Sequence, residues 1–222
     1  MKIPYINLKA QWIEDKDILL PIIESVLSKG KYVGGEEIEV FEENVSKVCG
    51  TKFSVALNSG TDALTLALYL LGVRRGDEVI TPPNSFIAST SVIVHLGAKP
   101  VFVDVLPDQN INPDLIENAI TNKTKAIMPV HLTGRICEMK KICDISKKYN
   151  IPIVEDAAQS VGSMYYKQKS GSFGKIGCFS AHPLKNLNGC GDGGFITTND
   201  QAIYQKAKEM RNHGMSNRNV VN

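Results

Sequence analysis

No basic run and no arginine-rich face occurs in this sequence. Its 25 lysines and arginines are interspersed with 23 acidic residues, for a formal charge of +2, which argues against nucleic acid as a partner. Long apolar stretches are also missing. The longest candidate, Ala63 to Gly72, is too short to cross a membrane, so no membrane partner is expected. Met1 to Ala10 lacks the charged-then-apolar pattern of an export signal and carries Pro4 early, which predicts a cytoplasmic protein. The five cysteines (Cys49, Cys137, Cys143, Cys178, Cys190) form no CxxC pair. They are therefore read as reduced thiols, and no metal site is expected. Internal repeats and low-complexity segments are absent too. What remains is an ordinary globular composition, 43% hydrophobic and 22% charged over 222 residues, enough for one sizeable core and at most a small appendage.

Short β-branched runs alternate with amphipathic stretches, which predicts an α/β architecture. Helices are expected over Asp15–Ser28, Glu36–Val48, Asp62–Leu71, Ala88–Leu96, Pro113–Ile120, Glu138–Tyr149 and Gln201–Arg211. Strands are expected over Lys52–Leu57, Glu78–Thr81, Pro100–Val103, Lys125–Val130, Ile151–Val154 (leading into Glu155-Asp156), Ile176–Ser180 and Phe195–Thr198. Gly162 to Gly174 reads as a loop, and Ser216 to Asn222 as a polar, unstructured end.

Three segments fall at the carboxyl ends of expected strands, where open parallel sheets bind ligands. Asn58-Ser59-Gly60-Thr61-Asp62 can offer free backbone N–H groups to a phosphate at a helix N-terminus; taken alone, the segment reads rather as a helix cap by Thr61 or Asp62. Asp156 follows Ile-Pro-Ile-Val, and its carboxylate either orients a cationic ligand group or caps the next turn. Phe179 to Asn186 runs from an apolar strand into a polar turn bearing Lys185; such a lysine is either a solvated surface charge or a nucleophile that forms Schiff bases with aldehydes. Gly189-Cys190-Gly191-Asp192-Gly193-Gly194 has GxGxxG spacing. It precedes an expected strand rather than opening a helix, so it does not read as a dinucleotide fingerprint.

Taken in order, the segments resemble the DegT/DnrJ/EryC1/StrS family of nucleotide-sugar aminotransferases. The resemblance runs through Tyr5-Ile6-Asn7-Leu8-Lys9-Ala10-Gln11, Asn58 to Leu64, Gly76 to Pro82, Pro100 to Asp104, Pro129 to Gly134, Val154 to Ser160, Cys178 to Ser180, Lys185-Asn186-Leu187, Gly191 to Gly194 and Arg211 to Gly214. It implies the type I, aspartate-aminotransferase-like fold of pyridoxal-phosphate enzymes, with a mostly parallel sheet flanked by helices. Residues 1–35 would be an N-terminal segment and helix, and 36–222 the cofactor-binding large domain.

By that resemblance Lys185 carries pyridoxal 5'-phosphate through its amine and later serves as general base. Asp156 pairs with the pyridinium nitrogen. Gly60, Thr61 and Ser180 hold the phosphate, Phe86 stacks on the ring, and Gln159 lies near the phenolic oxygen. His182 lines the site or supports it from behind. The substrates implied are an amino donor, glutamate, and a keto-sugar nucleotide used in amino-sugar or cell-surface polysaccharide synthesis; Leu8 to Gln11 leans toward amination at C3. A homodimer is implied, its partner subunit completing each site.

Ala181 and Lys175 depart from the family pattern, which usually has an aromatic and an aspartate there. The small C-terminal domain of the family is missing from this sequence, so a non-catalytic remnant is the alternative reading. A sugar dehydratase, which replaces the lysine by histidine, and a nicotinamide-dependent sugar oxidoreductase are further alternatives. Lys185 argues against the first, and the strand after Gly194 against the second.

Overall fold

The computed structural model describes residues 6–217 and 220–221. The Met1 to Tyr5 part of the N-terminal reading, and residues 218, 219 and 222 of the polar end, lie outside the described residues. Contacts divide the chain into two units, Met1–Phe41 and Glu42–Asn222.

The first unit is dominated by helix α1 (Leu8–Ser28). It starts well before Asp15 because the Asn7 side chain accepts the Ala10 N–H at 3.1 Å and caps the first turn. Pro21 lies inside it and removes one backbone donor. Among the described residues of α1 none is buried. Helix α2 (Glu36–Cys49) opens with Glu36, Glu37 and Glu39, which suit the positive end of the helix dipole; the boundary between the units falls within it.

The second unit alternates strand and helix: β1 (Phe53–Leu57), α3 (Gly60–Leu70), β2 (Glu78–Thr81), α4 (Ala88–His95), β3 (Lys99–Phe102), β4 (Thr124–Ile127), α5 (Met139–Tyr149) and β5 (Val154–Asp156). There follow the hairpin β6 (Met164–Tyr165) and β7 (Gln168–Lys169), then β8 (Ile176–Ser180), β9 (Gly194–Thr198), α6 (Gln201–Arg211) and a terminal hairpin of β10 (Met215–Asn217) and β11 (Val220–Val221).

Strands β1-β9-β8-β5 form one ladder and β3-β2-β4 another. Parallel bridges Ile127–Ile153 and Val130–Asp156 join them edge to edge. Among the described residues, the pairings within this joined sheet are parallel except the two made by β9, which runs against β1 and β8. The sheet is mostly parallel, as expected.

Two apolar clusters occupy its two faces. One gathers Leu64 and Leu68 of α3, Val92 and Ile93 of α4 and Ala207 of α6 over Val55, Val79, Met128, Val154 and Ile196. The other gathers Met139, Ile142 and Ile145 of α5 under Ile80, Ile127 and Ile153. Successive strand residues such as Val79 and Ile80 go to opposite clusters, the period-two signature of a sheet covered on both sides.

Several expected elements are corrected. Pro113 to Ile120 is not one helix but two 3-10 turns, Pro113–Leu115 and Glu117–Ala119; Ile120 is already extended, which leaves too few residues for a stable α-helix. The strand expected over Lys125–Val130 ends at Ile127, because Pro129 has no N–H to continue the ladder. Pro152 likewise delays β5 until Val154, and the strand runs through Asp156. The Gly162–Gly174 loop contains the β6–β7 hairpin, whose turn residues Tyr166 and Lys167 take the positive φ values usually left to glycine and asparagine. The end expected to be unstructured pairs Met215 with Val221 and Asn217 with Val220; two adjacent valines favour a strand.

Candidate active site

Every parallel strand delivers its carboxyl end to the same edge of the sheet, and β9 begins there because it runs the other way. The segment from Ala181 to Gly193 therefore travels along this edge between the end of β8 and the start of β9. It is tied down by Ala181 N–H to the Gly193 carbonyl and by Gly189 N–H to the Ala181 carbonyl, each 2.8 Å. Gly189 to Gly194 opens strand β9, as the sequence predicts, and no helix follows the glycines.

At the end of β1, Ser59 rather than Thr61 or Asp62 caps α3: its hydroxyl accepts the Asp62 N–H at 3.0 Å. The first-turn N–H groups of Gly60 and Thr61 have no carbonyl available within the helix and point off its N-terminus. Two glycines make the turn possible. A Cβ on Gly60 would sit 2.8 Å from the Ser180 Cβ, and one on Gly194 would sit 2.3 Å from the Ser59 carbonyl carbon. The turn is thus pressed against β8 and β9, and the Ser180 hydroxyl lies beside Gly60. Ser180 accepts the His182 N–H at 3.3 Å, which leaves its own proton to donate. Backbone donors, a hydroxyl and a helix dipole thus lie side by side here, a combination suited to an anion.

Asp156 is 5% exposed. Its Oδ2 accepts from the Ser89 hydroxyl at 2.7 Å and its Oδ1 from the Ala158 N–H at 3.2 Å. Burial raises the carboxyl above the usual carboxylate range, while those two hydrogen bonds and the nearby charge of Lys185 act in the opposite direction. A desolvated carboxylate with accepting capacity left suits a cationic ligand group.

Lys185 is half-buried and sits in a turn closed by its own N–H to the His182 carbonyl at 2.8 Å. The next residue, Asn186, donates to the Val161 carbonyl at 2.9 Å, which anchors the lysine turn to the segment leaving β5. The His182 ring accepts the Leu184 N–H at 3.1 Å through Nδ1, so this side chain braces the lysine turn from within. Phe86, in the loop between β2 and α4, is 68% exposed and free to cover a planar ligand. Gln159 is half-buried; its Oε1 accepts the Thr133 N–H at 2.9 Å, which turns its NH2 group away from that contact. Gly60, Thr61, Phe86, Asp156, Gln159, Ser180, His182 and Lys185 all lie on segments at or leaving this one edge.

Sequence reasoning assigned no role to a second buried carboxylate, Glu155. It accepts from His131 Nε2 at 3.0 Å and from the N–H groups of Gly171, Phe173 and Gly174 at 2.7–2.8 Å. His131 is fully buried and its Nδ1 faces the Cys137 N–H at 3.3 Å. Ser85, in the loop before α4, and Ser89, within α4, are single serines that carry no sequence signal. The Glu155-Asp156 dipeptide did carry one: in a parallel sheet covered on both faces, alternation turns each of two consecutive acidic residues toward a covered face.

Among the described residues no group of three or more His, Cys, Asp or Glu side chains is placed to hold a metal ion, and no helix is long and apolar enough to cross a membrane. All five cysteines are free. A groove of about 500 Å³ lined by Thr121, Lys125, Tyr149 and Pro152 lies at the opposite, amino edge of the sheet, away from these groups.

Comparison with known proteins bears on this edge. Over 217 residues the chain is 41% identical to UDP-2-acetamido-2-deoxy-3-oxo-D-glucuronate aminotransferase of Pseudomonas aeruginosa, covering 97% of this chain and 60% of that protein. The crystal structure of S. venezuelae DesV in complex with a ketimine intermediate superposes with a TM-score of 0.95 at 38% identity, over 99% of this chain and 59% of the other. Bacillus subtilis ntda with bound cofactor PMP gives 0.89 at 34% identity, over 100% and 51%. The chain thus spans about 60% of the length of the first of these relatives. The model of the DegT/DnrJ/EryC1/StrS aminotransferase family matches residues 14–222, and the chain belongs to that family.

Proposed function

We infer that this chain is the cofactor-bearing part of a pyridoxal-phosphate-dependent aminotransferase that transfers an amino group from glutamate to a keto-sugar nucleotide, in amino-sugar or cell-surface polysaccharide synthesis. The observation that carries the reading is the desolvated Asp156 carboxyl at the end of β5, within the electrostatic reach of Lys185. The aminotransferase relatives support the reaction and substrate class. The active form is a cytoplasmic homodimer on this reading.

The residues present fit the cofactor. The cradle of Gly60, Thr61 and Ser180 takes its phosphate, with no room for a Cβ at Gly60. Asp156 holds the protonated ring nitrogen, Phe86 covers a ring face, and Gln159 offers its NH2 group to the phenolic oxygen. When bound, pyridoxal phosphate supplies an aldehyde for amine exchange and an electron sink for the carbon being deprotonated. Lys185 would hold the cofactor through its amine, and that amine, once free, would serve as general base on the donor α-carbon. His182 keeps the lysine turn in register through the Leu184 N–H.

The test is reconstitution of the purified chain with pyridoxal phosphate. A yellow protein should form, borohydride should fix the cofactor, and peptide mapping should find it on Lys185. A chain that stays colourless, or is labelled elsewhere, overturns the reading. Half-reactions with glutamate and a panel of keto-sugar nucleotides then identify the substrates.

A further inference from the structure

Serine within a helix usually returns its hydroxyl to the carbonyl of the preceding turn. Ser89, in α4, does not. Its side chain is wholly buried and reaches across to β5, 67 residues away in sequence, where it donates to Asp156 Oδ2 at 2.7 Å. A second hydroxyl stands behind it: Ser85 Oγ lies 2.7 Å from Ser89 Oγ. A hydroxyl has one proton. With that of Ser89 committed to Asp156, the Ser85 hydroxyl is the donor of the pair, and it holds Ser89 in the donating orientation. Ser85 is half-buried and immediately precedes Phe86.

We propose that Ser89 is a positioning residue for the cofactor, its hydroxyl held by Ser85 so that the Asp156 carboxylate stays ionised and keeps accepting capacity toward the ring nitrogen. The proposal rests on the cofactor reading given above. It makes one short segment, Ser85 to Ser89, responsible for two contacts with the ring: the aromatic cover from Phe86 and, through Asp156, the charge at the nitrogen. Besides Ser89, the titratable groups around Asp156 are His131 beyond β4, Lys185 in the turn after β8, and Cys178 with its neighbouring charge Glu155. None of these donates a hydrogen bond to the Asp156 oxygens, whose donors are Ser89 and the Ala158 N–H.

The experiment titrates the cofactor-free 222-residue chain by carbon NMR with aspartate labelled at its carboxyl carbon, the Asp156 signal being assigned by its loss in Asp156→Asn. Ser89→Ala is expected to raise the Asp156 midpoint by about one pH unit, the size of a lost hydrogen bond to the charged form. Ser89→Thr, which keeps the hydroxyl, should restore it, and Ser85→Ala should shift it the same way by less. In a second arm, pyridoxal phosphate affinity is measured against pH. Ser89→Ala should bind about tenfold more weakly below the midpoint of the unaltered chain and converge with it above the shifted midpoint.

A folded Ser89→Ala chain with an unmoved midpoint overturns the proposal, and so does a loss of affinity that is uniform across pH. If Ser89→Ala does not fold, an unmoved midpoint in Ser85→Ala overturns it instead. Failure of the unaltered chain to bind cofactor sinks the function proposed above and the cofactor role of Ser89 with it; the midpoint series, which needs no cofactor, still decides whether Ser89 holds Asp156 ionised.

Discussion

Glu155 and Asp156 are consecutive residues of one strand, both screened from water, and they are built for opposite ends. Alternation along β5 sends them to different faces of the sheet. Each oxygen of Glu155 takes two donors, from His131 and the Gly171, Phe173 and Gly174 backbone, which fills the accepting capacity of a carboxylate. Asp156 takes one donor on each oxygen, from Ser89 and Ala158. The first carboxylate is spent on architecture: it fastens the segment leading into β8 and the turn after β4. The second is left with capacity, at the edge of the sheet that also carries Lys185 and the N-terminus of α3. Burial alone does not distinguish a structural carboxylate from a functional one; the number of donors left to find does.

The sharpest way to break this comparison is to remove each carboxylate in turn. Glu155→Ala leaves three backbone N–H groups and an imidazole facing an apolar void. It should cost about 3–5 kcal/mol in urea unfolding, the largest effect expected in the chain. An unchanged unfolding midpoint would show that water replaces the carboxylate, and the structural half of the contrast would fail. Asp156→Asn should behave in the reverse manner. The amide can still accept the Ala158 N–H and can donate to Ser89, whose proton then turns to Ser85. Stability without cofactor should be equal or slightly higher, while pyridoxal phosphate affinity falls about 10–100-fold, or roughly 1.4–2.7 kcal/mol. Equal losses of stability in the two variants would erase the distinction.

How much of this was legible in the sequence depends on the kind of interaction. The bounds of β2, β8 and α6 agree with the spacing-based expectation, because each is framed by punctuation such as Pro82-Pro83, the glycines near 174 or the Asp200 cap. Placement of Asp156, Gly60 and Lys185 at one edge followed from reading them as strand-end residues in a mostly parallel sheet. The 3-10 turns at Pro113–Ala119, the β6–β7 hairpin and the Val220-Val221 pairing depart from the sequence expectation, since each hangs on a few residues with no period to detect. Ser59 displacing Thr61 and Asp62 as the α3 cap could not be decided from spacing, as all three residue types cap helices. The Ser89–Asp156 and His131–Glu155 contacts join distant segments, and side-chain pairing of that sort leaves no trace in a single sequence.

A smaller effect is expected at the turn opening α3, away from the carboxylates. Gly60→Ala places a methyl group 2.8 Å from the Ser180 Cβ, against strand backbone that has little freedom to retreat. The expected cost is about 1–2 kcal/mol of stability, together with weaker binding of pyridoxal phosphate and of inorganic phosphate as a probe. Weaker phosphate binding with full stability would mean that the alanine is accommodated by displacing the Ser180 hydroxyl alone.

The smallest effect expected is a pH dependence, and its sign distinguishes Asp156 from the usual paired aspartate. Burial raises the Asp156 carboxyl in the folded chain, above the value of about 3.9 held when unfolded. Between those two values the folded state binds the extra proton, so by linkage stability falls as pH rises through the window and levels off above it. The group therefore disfavours the cofactor-free fold at neutral pH and stops doing so on acidification. Asp156→Asn has no such dependence. Its stability advantage over the unaltered chain should be greatest near neutrality, shrink as pH drops through the raised midpoint, and vanish below the unfolded value. Urea midpoints measured for both chains across that range should converge toward acid. Divergence toward acid would mean that the native carboxylate is already stabilised by its surroundings, and Asp156 would then hold no capacity in reserve for a ligand.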